Sequence, residues 1–307
     1  MPSTSRFHTT LTNYARGIAQ DAASALASFL APEVVVNAAT GQYKRFDDKN
    51  AFQTPDTARA VGGPARRLMF AADDPTYNCR PHALEITIDD HERDEAGEGD
   101  PLRIEQAKTE TLVSSAVASH ERSTFVAARN AVTAESGMGS WSGASNSEDP
   151  VAEIDALIEE IATNIGQMPN RMVIGLPAWA VIRHNPQVMA RFPAATALGV
   201  TQAQFASLLL NPQLDIRVGT LAYDQAQWGQ DADNANIVGA DLYLYFARPS
   251  PSLYDASFMK TFRTRRGGVD AVRVYREESS RSDVLAVDWT EDVQVTAGIA
   301  GRRIAVT

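Results

Sequence analysis

Only one cysteine, Cys79, stands among the 307 residues of this chain. That excludes an intramolecular disulfide framework and any zinc site built on two or four thiolates, and it fits a reducing compartment. Long apolar runs are missing too: no stretch of roughly 18 residues is free of polar groups, as a membrane-spanning helix requires. Met1 to Arg16 lacks the charged head and apolar centre of a signal peptide, so the expectation is a soluble, intracellularly made protein with no membrane partner. Positive charge is in short supply, 28 Lys and Arg against 38 Asp and Glu for a net −10. This is the wrong sign for a protein built to grip phosphate backbones. What is present is apolar bulk: 44% of the chain is hydrophobic, enough for a sizeable core without covalent staples.

The motifs of catalysis are absent as well. A phosphate cradle needs a glycine-rich loop between strand and helix, often with a lysine, and no Gly-Lys pair occurs. Gly137 to Gly143 (GMGSWSG) is a near miss for a dinucleotide loop, but it follows a helical segment and carries Trp141, so it reads as a flexible linker. The same tryptophan occupies the place a hydrolase elbow reserves for serine. His91-Glu92 leads to Glu95 and His120-Glu121 leads to Thr124, which breaks both versions of a zinc-peptidase helix. Cys79, His82 and His91 could in principle ligate a metal, but one thiol and an intervening strand favour a satisfied loop histidine. The acidic run Asp89 to Asp100 has Glu95 where a calcium loop from Asp90 requires glycine, and reads as a solvated turn. His120 is expected to be packed or interfacial. No catalytic, cofactor-binding or metal-ligating residue is assigned.

The organisation of the chain is more informative. A weak helical pattern runs over Leu11 to Leu30 and ends at Pro32, and Val34 to Val36 read as a strand. Gly41 to Pro64 is a polar, extended stretch read as a long projecting loop; loops of more than roughly 15 residues usually serve binding. Alternation at Leu84, Ile86 and Ile88 predicts a half-buried strand. Asp100 and Pro101 open a helix that meets no further proline or glycine until Gly137, so it is expected to reach about Ala131, roughly 46 Å at 1.5 Å per residue. Its polar interruptions suit a strut packed on one side. After the Gly/Ser segment 136–147, taken as a domain boundary, Asp149-Pro150 start an amphipathic helix that Gly166 stops. A strand follows at Met172 to Gly175, then short helices from Pro177 to His184 and Thr201 to Leu210. Strands are expected at 214–218, 242–247, 269–275, 284–289, 293–297 and 303–306.

One charge pattern points to function. Segment 42–67 carries Lys44, Arg45, Lys49, Arg59, Arg66 and Arg67 for a local +3, whereas 89–100, with Asp89, Asp90, Glu92 and Asp94 among its seven acids, is locally −6. Opposite patches on one chain permit self-association. If the basic loop of one copy lies over the acidic segment of the next, the contact is heterologous and generates rings or open arrays. The candidate inter-subunit residues are Lys44, Arg45, Arg59, Arg66, Arg67, Asp89, Asp90, Glu92 and Asp94. The alternative is that both are ordinary solvated surfaces.

The order of these pieces resembles the major capsid proteins of tailed bacteriophages, which have the Hong Kong 97-like fold. The likeness is most specific at Thr54 to Arg67 (TPDTARAVGGPARR), at Trp141 to Asp149-Pro150, and at Pro169 to Gly175 (PNRMVIG), and it covers most of the chain from about Ala51. The resemblance implies an α+β fold with an N-terminal arm (1–37), an extended E-loop (38–78) and a peripheral domain with its spine helix (79–135). An axial domain (136–250) and C-terminal strands completing both domains (251–307) would follow. No heptad-rich prodomain is seen before the arm, which implies a separate scaffolding protein or none. The implied function is an icosahedral shell of pentamers and hexamers around double-stranded DNA, found in the virion and, during assembly, in the host cytoplasm. The implied partners are the chain itself, a portal, scaffolding or decoration proteins, and weakly held DNA; no cofactor is implied. An acidic shell suits a DNA container, because a strongly basic lining would bind the genome. The alternatives are an encapsulin-like compartment shell, and a soluble α+β enzyme whose site is assembled from distant residues.

Overall fold

The computed structural model describes residues 6–7, 11, 15, 25–45, 58–59, 61–63, 73–95, 101–142, 148–192, 199–227, 229–265 and 272–307. Two sheets, each with its own apolar core, are joined by one long helix.

The first sheet is built on β13, Ser282–Val295. One edge of this 14-residue strand pairs along Ser282 to Glu291 with β5, Arg80–Asp89. The opposite edge is shared end to end by β12, Val272–Glu277, and β11, Met259–Thr264. Beyond these lie two edge strands: β1, Arg6–Phe7, antiparallel to β12, and β2, Glu33–Val36, parallel to β11. The second sheet has the order β14 (Gly301–Ala305), β10 (Asp241–Tyr245), β6 (Arg171–Gly175) and β7 (Asp215–Gly219), with only the β6–β7 pair parallel. Two small ladders complete the strands: β3 (Thr40–Gln42) with β4 (Thr76–Asn78), and β8 (Ala222–Asp224) with β9 (Asn234–Asn236).

Several expectations hold closely. Among the helices, α1 is Ala27–Leu30, α2 is Asp90–Glu95, and α3 is Pro101–Ala131, the span read from proline and glycine spacing. In α4, Pro150–Ile165, the Asp149 side chain accepts from the Val151 N–H, Pro150 opens the first turn, and Gly166 closes the helix at φ 66°, where L side chains are strained. Its buried face is Val151, Ile154, Leu157, Ile158, Ile161 and Ile165, packed on the second sheet. Each such side chain contributes about 1.5–3 kcal/mol of burial. Helices α5 (Leu176–His184), α6 (Pro186–Ala190) and α7 (Gln202–Ala206) follow, the last opened by a reciprocal Thr201–Gln204 cap. Of the helix expected over 11–30, Leu11 and Ala15 are helical and buried, α1 forms the end, and the rest lies outside the described residues.

The long helix is not packed on one side only. Leu112, Val113 and Ala116 enter the first core beside Ile88, Leu285, Val287 and Trp289, while Phe125 and Ala128 enter the second beside α1, Trp141 and Tyr243. At about 100° per residue these two sets lie on roughly opposite sides of the helix. A single apolar stripe is therefore absent from its sequence even though both halves are buried.

The segment read as a flexible linker is pinned where it is described. Glu135 donates its N–H to Arg303 O, Thr307 to Gly139 O and Ser142 to Thr307 O, so residues 135–142 ride along β14. Glu153 of α4 accepts from both the Gly139 N–H (3.0 Å) and the Trp141 indole N–H (2.9 Å). Gly139 (φ 92°) serves close packing: a Cβ there would stand 2.3 Å from Ala305 O.

Candidate functional site: loop base, acidic helix and arm strap

The base of the extended loop is a small aromatic stack. Tyr43 and Tyr77 flank Phe262 of β11, with ring centroids at 5.1 and 4.8 Å, and the Cys79 thiol donates to Phe262 O at 3.4 Å. Beyond β3 and β4, Arg45 and Asp73 form an isolated bridge, so the chain leaves and re-enters the fold at adjacent positions. Lys44 pairs with Asp74 at 2.5 Å and Arg45 with Asp73 at 3.1 Å. Arg59 is exposed, with its guanidinium on Gly63 O, and neighbouring Val61 is fully exposed. Arg66 and Arg67 lie outside the described residues.

The acidic segment is a helix, not a solvated turn, where it is described. Asp89 accepts the His91 N–H at 2.8 Å and so opens α2. Asp90 takes a two-pronged contact from Arg276 at 2.6 Å, which holds its carboxyl below the usual range. Glu92 pairs with Lys108 at 2.6 Å, and Arg93 bridges Glu105 and Asp283. Asp94 is exposed, and no ion pair is recorded for it among the described residues. Lys44, Arg45, Asp90 and Glu92 thus already have partners within the chain; Arg59 and Asp94 face outward. Among the described residues, the ion pairs of the basic set are with Asp73 and Asp74 and those of the acidic set are with Arg276 and Lys108.

Beside α2 runs the long edge of β5. Asp90 donates its N–H to Arg281 O, and the register then turns the backbone groups of even residues 82–88 toward β13 and those of odd residues outward. Pro81, which has no N–H, falls on the outward set, as an edge position allows. Lys108 Nζ donates to Thr87 O at 2.9 Å, and among the described residues no strand pairs with this edge. Ala83 and Glu85 are exposed residues of this strand.

The two cores are tied by a strap, Leu26 to Val36, that sequence reading missed as a site. Glu121 of α3 accepts the Leu26 N–H at 2.6 Å. Arg171 donates to Phe29 O at 2.8 Å and lies over its ring at 4.8 Å; Arg217 covers the same ring at 4.1 Å, and the Tyr245 hydroxyl also donates to Phe29 O. Thr261 holds Ala31 O before the strap continues into β2. His120 is indeed packed: its Nδ1 lies 2.7 Å from Glu291 Oε2 with both side chains buried. Burial works against the Glu291 charge, yet the His120 contact holds its pKa below the ordinary value. At the far end of α3, Arg129 and Arg303 converge on buried Asp241 at 2.9 and 3.0 Å.

Among the described residues, no group of three His, Cys, Asp or Glu side chains is placed to hold a metal, and no helix is long and apolar enough to cross a membrane. Cys79 is engaged with Phe262, while His82 stacks on Trp289 at 5.4 Å.

Comparison with known proteins agrees with this architecture. No family model matches the chain. The major capsid protein of Burkholderia phage BcepMu is 26% identical over 273 residues, covering 86% of this chain and 85% of that protein. A phage-related protein from Bordetella bronchiseptica superposes with a TM-score of 0.74 at 22% identity, over 98% of this chain and 97% of the other. The mature capsid of bacteriophage PhiM1 superposes at 0.52 with 11% identity, over 91% and 86%. The fold is that of the Hong Kong 97-like capsid proteins, in the α+β class. The resemblance to the tailed-phage major capsid proteins is borne out.

Proposed function

We propose that this chain is the major capsid protein of a tailed phage or prophage, a structural subunit and not an enzyme, which self-associates into the shell of the virion. The observation that carries the reading is the near full-length relationship to a phage major capsid protein, joined to superposition over almost the whole fold. Within it, residues 1–37 are the arm, 38–78 the E-loop, 79–135 the peripheral domain with α3 as spine, and 136–250 the axial domain, with 251–307 completing both. The shell consists of pentamers and hexamers around double-stranded DNA, with a portal and scaffolding or decoration proteins as further partners and the host cytoplasm as the place of assembly.

Three features support self-association. The chain leaves the fold at Arg45 and re-enters it beside that point at Asp73, Arg59 and Asp94 are exposed with opposite charge, and among the described residues no strand pairs with the outer edge of β5.

The test is negative-stain microscopy with analytical sedimentation of the recombinant protein at low and high concentration. Closed shells tens of nanometres across, or separate pentamers and hexamers, are expected. A monomer or dimer that persists under crowding, and also when the scaffolding protein encoded beside it is co-expressed, sinks the shell reading. Shells that co-purify with protein cargo and exclude DNA indicate an encapsulin-like compartment instead.

A further inference from the structure

Glu121 is out of place by composition. It lies four residues before Phe125 and seven before Ala128, on the α3 face that enters the second core, and it is fully buried with them. Its Oε2 accepts the Leu26 N–H, and the Ala27 N–H also acts on the carboxyl, while Oε1 has no hydrogen-bond partner among the described residues. A buried carboxylate needs a cation or a full set of donors, and among the described residues this one has neither.

The charged groups on the surrounding elements are committed elsewhere. On α3, His120 faces Glu291 of β13, and Arg122 lies over the Tyr223 ring at 4.7 Å. From β11, Arg263 reaches Glu33 and Glu291, and Lys260 pairs with Asp255. From β6 and β7, Arg171 and Arg217 stack on Phe29. The α1 segment itself, ASFL, brings no titratable group. Only burial and two backbone N–H groups therefore act on Glu121, and burial prevails, raising its pKa from 4.5 to about 7.

We propose that Glu121 is a proton-controlled latch between the arm strap and the long helix: neutral, it stays closed on the Leu26 and Ala27 amides; ionised, it favours release of the strap so that the carboxylate can hydrate. The site is suited to this because Glu121 is the α3 contact at the start of the strap, and the strap runs on into β2 of the other sheet. The latch is independent of the shell reading and is tested on the subunit in whatever oligomeric state it is isolated.

The sign follows from the raised value. Closure is favoured below pH 4.5, weakens as pH rises, and levels off above about 7. Hydrogen exchange at the Leu26 and Ala27 amides, corrected for the intrinsic pH dependence of exchange, should lose about 30-fold of its protection between roughly pH 5.5 and 8.5. Glu121→Gln keeps an acceptor without the charge, so its protection should be level across that range while circular dichroism stays native. Glu121→Leu, which removes charge and acceptor together, should show a lower but equally level protection, and serves if the glutamine variant fails to fold. A wild-type profile without the fall overturns the proposal. So does a fall that survives in Glu121→Gln, or one that disappears in His120→Gln.

Discussion

At the scale of single residues, the charged side chains buried among the described residues, Glu121 apart, have an oppositely charged partner built in. Lys260 is fully buried on β11; its ammonium donates to Asp255 O at 2.7 Å and lies 3.1 Å from the carboxylate. Burial raises the cost of the Asp255 charge, but Ser257, the Ser252 N–H and Lys260 outweigh it and hold the pKa below the ordinary value. Asp255→Ala leaves a cation with nothing but a carbonyl beside it, and should cost about 3–5 kcal/mol in urea unfolding of the unassembled subunit. Because the carboxyl's folded pKa is depressed, its contribution is present above the usual carboxylate range and is lost as pH falls through the folded value. The variant should therefore lose part of the wild-type decline in stability toward acid. Gly139 is a second such point. Gly139→Ala places a Cβ against Ala305 O at a backbone angle that L residues avoid, and should cost about 2–4 kcal/mol by the same assay.

At the scale of elements, the helices were legible because their signals are local. The Asp149 cap, Pro150, the isoleucine spacing and Gly166 define α4 without reference to anything distant. Asp149→Ala should cost about 1 kcal/mol through the lost cap, and Gly166→Ala about 1–2 kcal/mol through its left-handed angle; melting temperatures check both. The strands were harder wherever a charge is buried. Thr290, Glu291 and Asp292 split β13 into two apparent strands, yet it runs unbroken because Glu291 is buried against His120 and Arg263. Strand β11 was missed, since Lys260 interrupts its apolar pattern and only the Asp255 pairing explains it. The same reason hid the strap contact: Glu121 reads as a surface acid until the fold places Leu26 above it, 95 residues away in sequence. The acidic segment was legible as charge but not as structure, because its partners Arg276 and Lys108 come from β12 and α3.

At the scale of the whole molecule, the paired charges divide the loop's basic residues into two groups with different expected effects. Lys44 and Arg45 neutralise Asp74 and Asp73 at the loop base, so reversing them to glutamate would set like charges together where the chain closes on itself. These partners are solvent-exposed, and the loss should be modest, about 1 kcal/mol or less per pair, felt as local loosening of the base. Among the described residues Arg59 contacts Gly63 O within its own turn, and with Arg66 and Arg67 it supplies the basic end of the resemblance-bearing segment. Reversing Arg59, Arg66 and Arg67 together to glutamate should, if these residues serve contacts between subunits, leave the melting temperature of the unassembled subunit within about 2 °C. Assembly should respond differently, because a heterologous contact repeats at every subunit and a small loss at each accumulates over the shell. Sedimentation should show fewer or no particles at a concentration where the wild type assembles. Wild-type assembly should itself weaken as salt rises past a Debye length of about 8 Å, whereas the triple variant should be less sensitive. Normal particles from the triple variant, with unchanged salt dependence, would place the loop's charges outside the contact and leave the β5 edge as the surface to mutate next.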